Sequence, residues 1–169
     1  TFTPSKLSSG GTPESYTTNK MSLRVSEGWA YWAVTYVKPE AAGLGDGSSW
    51  ENAMSGADFS AMLKWIDEKN DGKAYEFRVA AGTYAQSETL PLPKGVKLYG
   101  GFAGNETTAE EIEARDIAKN ATTLSRDAVV VSTDKFSIVT AGAGATSADT
   151  RIDGFTVTGG TGTAVVDEY

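Results

Sequence analysis

The sequence predicts a mainly β protein built from short strands, with one amphipathic helix near its N-terminal end. Short runs of alternating apolar and polar residues recur along the chain, and glycine or polar residues interrupt them. The links between these runs are longer and more irregular than the tight turns of a β-meander. One stretch, residues 55–72, has the period of a helix instead. These observations favour a stacked, solenoid-like arrangement of strands.

The composition excludes several classes of function. The chain has 22 acidic and 15 basic residues, a net charge of −7, so nucleic-acid binding is not expected. No apolar run approaches the roughly 18 residues that a membrane-spanning helix needs. Histidine and cysteine are both absent, which excludes a Ser-His-Asp triad, a cysteine nucleophile and a His-ligated zinc site within this chain. Asp46 has only Glu40 and Glu51 near it in sequence, so we predict no metal site and no cofactor.

The chain divides into a lead and one domain. Residues 1–27 are predicted to form a flexible lead, because Ser, Thr, Gly and Pro dominate the first twenty positions. Residues 28–169 have the length of a single domain. A processed or trimmed N-terminus explains the lead better than a native cytosolic start.

Structure is predicted to begin with a strand over GWAYWAVTYVKP, residues 28–39. Aromatic residues fall on both of its faces, so both faces are expected to be covered. The simpler interpretation of these aromatics is core packing. The alternative is that Trp29 and Trp32 form an exposed platform on which a glycan stacks.

Residues 55–72 carry the signals of one amphipathic helix. Ser55 and Asp58 have the spacing of an N-terminal cap, and Gly72 is predicted to form the C-terminal cap. The apolar residues between them recur at helical spacing and predict one buried stripe. Its members are Phe59, Met62, Leu63 and Ile66.

The second half of the chain predicts further strands. Residues 74–84 alternate as one half-buried strand, LPLPKG (90–95) is predicted to turn, and VKLYGGF (96–102) forms the next strand. Thr108 and Glu111 have the spacing of a capping box that starts a helix through Asp116. Later β candidates are residues 121–125, 128–133, 136–141 and 151–160, with Ile152, Phe155 and Val157 as candidate core residues and Asp153 as a corner cap rather than an acid catalyst.

Two similar endings, YGGF and DGF, indicate where this solenoid bends. Gly101-Phe102 and Gly154-Phe155 lie 53 residues apart, which predicts two turns of about 26 residues each. Glycine accepts a left-handed conformation and close backbone neighbours. We therefore predict that the strand stops at Gly100-Gly101 because it reaches a corner.

The ordered set of motifs resembles a known family. The set comprises YVKPEAAGLGDGSSWENA (36–53), FSAMLKWI (59–66), YEFRVAAGTY (75–84), GVKLYGGFAGNET (95–107), ARD (114–116), NATTLS (120–125) and IDGFTVTGG (152–160). It is similar to the N-terminal part of a right-handed parallel β-helix of the pectin-lyase-like superfamily, of the kind found in exported and surface proteins of Bacteroides-type bacteria. The resemblance implies a fold of few coils whose N-terminal end is capped by the amphipathic helix.

The resemblance carries over no catalytic residue. Polygalacturonase-like members have a Gly-His-Gly motif and classical pectate lyases an Arg-x-Pro-x-x-Arg motif, and this sequence contains neither. We therefore expect a non-catalytic scaffold, adhesion or glycan-contacting module, exported to the cell surface, periplasm or medium. The alternative is the N-terminal part of a polysaccharide lyase or glycoside hydrolase whose active site lies downstream. The expected partners are glycans or a host surface, and self-association through an open C-terminal end of a truncated β-helix domain.

Overall fold

The computed structural model describes residues 24–25, 28–29, 34–126, 137–141 and 149–161. Over these residues the fold is mainly β, with parallel sheets and few helices. The helices are α1 (Gly56–Lys69) and α2 (Ala109–Glu113). The strands are β1 (Arg24–Val25), β2 (Gly28–Trp29), β3 (Val34–Val37), β4 (Tyr75–Ala80), β5 (Gly82–Gln86), β6 (Leu90–Leu92), β7 (Val96–Phe102), β8 (Thr122–Arg126), β9 (Val139–Ala141), β10 (Arg151–Asp153) and β11 (Phe155–Thr158).

Three of the sheets are parallel throughout. The four-stranded sheet has the order β10-β7-β4-β3, the three-stranded sheet has the order β11-β8-β5, and β6 pairs with β9. The fourth sheet is the short antiparallel pair of β1 and β2. Arg24–Val25 is the only part of the predicted 1–27 lead that the structure describes.

Consecutive strands of the chain enter different sheets. β4, β5 and β6 contribute one strand to each of the three parallel sheets, and we call them the first triplet. β7, β8 and β9 form a second triplet beside it in the same order. β10 and β11 then pair with β7 and β8, and so return to the first two of these sheets. Every parallel pairing therefore joins strands that are distant in sequence.

One hydrophobic core joins side chains of all three parallel sheets and of α1. In β4 the predicted alternation is confirmed, because Tyr75, Phe77 and Val79 are buried while Glu76 and Arg78 between them are only half-buried. Neighbouring strands repeat this pattern in register, so buried residues stack along the core. Examples are Phe77 beside Leu98 and Tyr84 beside Leu124.

Helix α1 confirms the predicted stripe and N-terminal cap. Ser55 is the N-cap, and its Oγ accepts a hydrogen bond of 3.0 Å from the Asp58 backbone N–H. The four predicted stripe residues are all buried in the core. The predicted C-terminal cap is wrong: Asn70, with φ 44°, takes the left-handed conformation, and its N–H donates to the Ile66 carbonyl. Asparagine tolerates this conformation, so the helix ends before it reaches Gly72.

In the middle of the chain, one strand prediction is wrong and one turn prediction is too long. The single strand predicted over 74–84 divides at Ala81, where the Ala81 N–H donates to Phe102 and the next N–H, of Gly82, donates to Ala121. The backbone changes partners there while the apolar alternation continues, so the sequence pattern does not reveal the corner. The turn predicted over 90–95 is confirmed only in its second half, where the Val96 N–H donates to the Pro93 carbonyl at 3.3 Å. The first half is strand β6, in which Leu90 and Leu92 are buried. Its central Pro91 lacks an N–H, and β6 is an edge strand, the place where a sheet tolerates proline.

The glycine pair does not end its strand. β7 continues through Gly100-Gly101 to Phe102, and the register against β4 shifts at this point. Gly101 has φ +87°, which explains why glycine is needed in this irregular stretch. The predicted close approach is confirmed, since a Cβ atom on Gly100 would lie 2.5 Å from the Gly154 carbonyl oxygen.

The predicted turns of about 26 residues are also wrong. Leu98 pairs directly with Ile152, so the two glycine motifs lie on neighbouring strands. The chain therefore passes through the parallel sheets once between the two motifs, and not twice as predicted. Tyr75 and Val96, in contrast, are neighbours only 21 positions apart. The passages differ in length because α2 and its flanking loops lie between β7 and β8.

The remaining predictions for the second half have mixed outcomes. Thr108 and Glu111 form the predicted capping box, but α2 ends at Glu113 rather than at Asp116. Strand β8 overlaps the predicted segment 121–125 and extends one residue beyond it, and β9 lies within the predicted segment 136–141. Residues 128–133 lie outside the described residues. Ile152 and Val157, predicted as core, are 38% and 51% exposed, while Phe155 is half-buried. They stand beside buried residues of the second triplet, and no described strand covers their other side.

Candidate functional site: a cleft beside Trp50

The outer face of the four-stranded sheet carries a second hydrophobic cluster. Trp50, Ala80 and Phe102 are buried in it, and Tyr36 and Tyr99 pack against them. The Trp50 ring meets Tyr36 edge-on at 4.8 Å between centroids and Phe102 at 5.7 Å. The sheet is therefore covered on both faces here, as the aromatics on both faces of the predicted first strand indicate.

The loop after β3 folds back along that strand and positions Trp50. The Tyr36 N–H donates to the Gly47 carbonyl at 2.9 Å. Further along the strand edge, the Met54 N–H donates to the Tyr36 carbonyl and the Lys38 N–H donates to the Met54 carbonyl, each at 3.0 Å. A tight turn, in which the Asn52 N–H donates to the Ser49 carbonyl at 3.1 Å, presents Trp50 to the sheet. Asp46, considered above as a calcium ligand, accepts from the Ser48 N–H at 2.8 Å and so stabilises the loop.

The loop after β7 forms the opposite wall. The Glu106 carboxylate accepts hydrogen bonds from three successive backbone N–H groups, of Ala103, Gly104 and Asn105, at 2.6 to 3.1 Å. The Glu111 carboxylate accepts hydrogen bonds from the backbone N–H groups of Thr107 and Thr108, and these bonds lower the pKa of its carboxyl. The wall is thus fixed by carboxylates of its own sequence.

A cleft of about 440 Å³ lies between these two loops. Segments 48–51 and 104–107 form its walls, beside Tyr36 and Lys38. We call it the Trp50 cleft. It combines aromatic surface with hydroxyl, amide, ammonium and carboxylate groups, the mixture found in sites for polar organic ligands.

Next to the cleft, arginines stack on the tyrosines of the sheet. The Arg78 guanidinium lies 5.8 Å from the Tyr36 ring centre, and Arg115 lies 5.3 Å from that of Tyr99. Arg115 also donates to Asp153 at 2.5 Å, and Arg151 donates to the same carboxylate. These two hydrogen bonds, with Arg115 first, lower the pKa of Asp153. Asp153 accordingly joins neighbouring segments, as its predicted structural role requires.

The glycan platform of Trp29 and Trp32 stays a prediction. Trp29 lies in β2, and Trp32 lies outside the described residues. Sequence reasoning missed Trp50, the aromatic residue at the cleft. Its only signal is its position, directly after the glycine-rich loop AAGLGDGSS, where a large apolar residue needs a partner from elsewhere in the fold.

The described residues contain no group of three or more Asp and Glu side chains placed to hold a metal ion, and neither of their two helices is long and apolar enough to cross a membrane. Comparison with protein-family models, with curated proteins and with solved structures gives no match for this chain.

Proposed function

We propose that this chain is the helix-capped start of a right-handed parallel β-helix, and that it serves as a non-catalytic scaffold that contacts glycans. One observation carries the proposal: β4, β5 and β6 enter three parallel sheets in an order that β7, β8 and β9 repeat. A chain that winds in coils, one strand per face, generates this pairing. Membership of the pectin-lyase-like superfamily and export to the bacterial surface, periplasm or medium belong to the same proposal.

The packing of α1 supports its role as the cap. The helix contacts β5 and β6, each of which is the first strand of its sheet. Its buried stripe joins the same core as the strands, with Phe59 and Phe77 5.3 Å apart in an edge-on contact. A helix in this position covers apolar ends of coils that would otherwise face water.

The Trp50 cleft supports the glycan part of the proposal. Sugars offer apolar ring faces and many hydroxyl groups, and the cleft offers aromatic surface beside hydrogen-bonding side chains. Trp29 and Trp32 stay in the proposal as a second stacking surface, as the sequence predicts.

The alternative function is the N-terminal part of a polysaccharide lyase or glycoside hydrolase whose catalytic residues lie downstream. The sequence printed here has no histidine and no cysteine, so no step of such a reaction is assigned to imidazole or thiol groups of this chain. Under both functions we expect this chain alone to cleave no polysaccharide.

One experiment tests the scaffold proposal, both its glycan contact and its lack of catalysis. Purified chain is applied to an array of plant, microbial and host-type glycans, and is incubated with the same polysaccharides with and without calcium while unsaturated products and reducing ends are measured. The scaffold proposal expects saturable binding without turnover. Turnover that disappears when one carboxylate is mutated would contradict it, and absence of binding to every glycan would remove the glycan part.

The exposed edge of β10 and β11 supports a further part of the proposal, self-association. Ile152 and Val157 extend the buried ladders of Leu98 and Leu124 but remain open to water. A second copy that docks on this edge would bury both side chains and pair free backbone groups.

A further inference from the structure

The two ends of the stacked sheets differ in what covers them. At the β3 end, backbone groups of Tyr36 and Lys38 on the strand edge already bond to Gly47 and Met54 of the loop that follows β3. Helix α1 packs against β5 and β6, the first strands of the other two parallel sheets. This end therefore has little free strand edge to offer a second chain.

The opposite end exposes both strand edge and apolar surface. Among the described strands, β10 and β11 each have a partner on one side only. Ile152 on β10 is 38% exposed and Val157 on β11 is 51% exposed, although Leu98 and Leu124 beside them are fully buried. A strand edge with unpaired backbone groups is a template for another strand. This end is therefore the surface on which a partner docks.

Strand β10 is complementary to itself in the antiparallel direction. It consists of Arg151, Ile152 and Asp153. When two copies pair antiparallel about Ile152, each Arg151 stands opposite the Asp153 of the other copy, and the two isoleucines face each other. Opposite charges directly across an antiparallel pair stabilise it, and like charges destabilise it. A parallel pairing in register would place Arg151 opposite Arg151, so the charges of β10 select the antiparallel arrangement.

Both charged groups of β10 can take a further partner. The Arg151 side chain is 57% exposed, and its Nε and Nη2 donate to Asp153 of its own strand, while no described residue accepts from its Nη1. The Asp153 carboxylate accepts from these two groups and from Arg115. A carboxylate has about four lone-pair sites, so it can accept one donor more. Each copy thus has both a donor and an acceptor for the other.

We propose that two copies of this chain form a closed, two-fold symmetric dimer in which β10 pairs antiparallel with β10 of the other copy. Arg151 and Asp153 pair across the axis, Ile152 lies on it, and the two open ends meet face to face, which also covers Val157. The contact uses the same surface twice, and the opposite end is covered, so assembly stops at two copies. This inference rests on the self-association in the proposed function and adds the orientation and number of the copies.

A single cysteine on the axis tests the orientation. The sequence has no cysteine, so a variant with one thiol forms disulfides only between copies. Residues opposite each other in an antiparallel pair have Cα atoms about 4.5–5.5 Å apart, a distance that a disulfide spans. Ile152→Cys should therefore cross-link into a covalent dimer at least about tenfold faster than Leu44→Cys. Leu44 is the matched control, since it is 43% exposed in the loop after β3, at the covered end.

Analytical ultracentrifugation tests the number of copies and the ion pairs. The native chain should reach twice the mass of one chain and no more as its concentration rises. Arg151→Glu should weaken the dimer about tenfold, because it places a carboxylate opposite Asp153 across the axis. Lys73→Glu is the matched control: Lys73 also pairs with a nearby aspartate and its side chain is 52% exposed, but it precedes β4 in the first triplet. It should leave the dimer unchanged.

The outcomes separate this inference from the proposed function. Species that grow beyond two copies, or an Ile152→Cys variant that cross-links no faster than Leu44→Cys, overturn the two-fold dimer and leave self-association standing. Equal effects of Arg151→Glu and Lys73→Glu overturn the pairing of Arg151 with Asp153 across the axis. A chain that stays monomeric at all concentrations and forms no cross-link overturns both the dimer and the proposed self-association.

Discussion

At the scale of single residues, Arg115 holds neighbouring segments together. Its Nη1 donates to the Gly100 carbonyl and its Nη2 to the Asp153 carboxylate, each at 2.5 Å. Gly100 lies in β7 and Asp153 in β10, so one guanidinium reaches two adjacent strands of the four-stranded sheet. Arg151 donates to the same carboxylate from the surface. Because the Asp153 side chain is partly buried, these charge-assisted hydrogen bonds are expected to contribute more than an exposed ion pair.

Asp153→Asn should therefore destabilise the protein. It removes the negative charge that both arginines share, and we expect the free energy of unfolding to fall by about 1–3 kcal/mol. The matched control is Glu88→Gln, which removes a carboxylate from the exposed Lys64–Glu88 pair and should cost clearly less, because water screens the charges of an exposed pair. Urea denaturation measures both. Equal effects of the two variants would show that the Arg115 contact is not a special junction.

The same residue gives a pH dependence with a defined sign. The hydrogen bond from Arg115, followed by that from Arg151, lowers the pKa of Asp153 below its ordinary value of 3.8 in the folded chain. The unfolded chain then binds more protons, so this contribution to stability is complete above the unfolded pKa and is lost as the pH falls through the folded pKa. The difference in stability between the native chain and Asp153→Asn should be constant between pH 6 and about pH 5, and should then shrink as denaturation is repeated down to about pH 2. A difference that stays constant would contradict this assignment.

At the scale of elements, α1 owes its place to its buried stripe more than to its caps. Leu63 and its three stripe partners are buried in the core, whereas the exposed side of the helix bears charged residues such as Asp67 and Glu68. Ser55 closes the N-terminal end and Asn70 the other. Removing part of the stripe leaves a cavity between the helix and the strands.

Leu63→Ala should reduce the free energy of unfolding by about 2–5 kcal/mol through that cavity. Glu68→Ala is the control on the same helix, since Glu68 is exposed, and it should change stability by less than about 0.5 kcal/mol. Chemical denaturation with a constant dependence on denaturant concentration gives both values. A Leu63→Ala protein as stable as the native chain would mean that α1 does not cover the core.

Elements set by local periodicity could be predicted, and elements set by distant partners could not. The stripe of α1 and the alternation in β4 follow from spacing alone, and the structure confirms both. The corner at Ala81 and strand β6 depend on backbone partners from the next triplet, which no local pattern reveals. The Trp50 cleft was missed for the same reason, because its two walls, 48–51 and 104–107, are brought together only by the sheet.

At the scale of the whole molecule, the outer face of the three-stranded sheet carries a threonine ladder. Thr83, Thr123 and Thr156 lie side by side in register on β5, β8 and β11. Each comes from a different passage of the chain through the sheets, so their side-by-side positions are a direct sign that these passages stack. On the inner side, Leu124 is fully buried while Val157 in the last strand is 51% exposed.

Self-association should follow from that exposed last strand. We expect the native chain to form larger species in light scattering as its concentration rises, and Val157→Lys to reduce this association by placing a charge on the open edge. Thr83→Lys is the control, because it adds the same charge to the exposed face of β5 in the first triplet. A native chain that remains monomeric at all concentrations, or equal effects of both variants, would contradict docking through this edge.

The register of the threonine ladder provides the most direct test of the stacked-coil account. The sequence has no cysteine, so paired cysteines report only on their own distance. Thr83→Cys with Thr123→Cys, and Thr123→Cys with Thr156→Cys, place thiols on neighbouring strands, within the Cα separation of about 4.4–6.8 Å that a disulfide spans. Thr123→Cys with Thr158→Cys shifts the register by two residues and serves as the control. We predict rapid intramolecular cross-linking of both ladder pairs, seen by mass spectrometry, and little of the shifted pair; failure of both ladder pairs, or faster cross-linking of the shifted pair, would contradict the account.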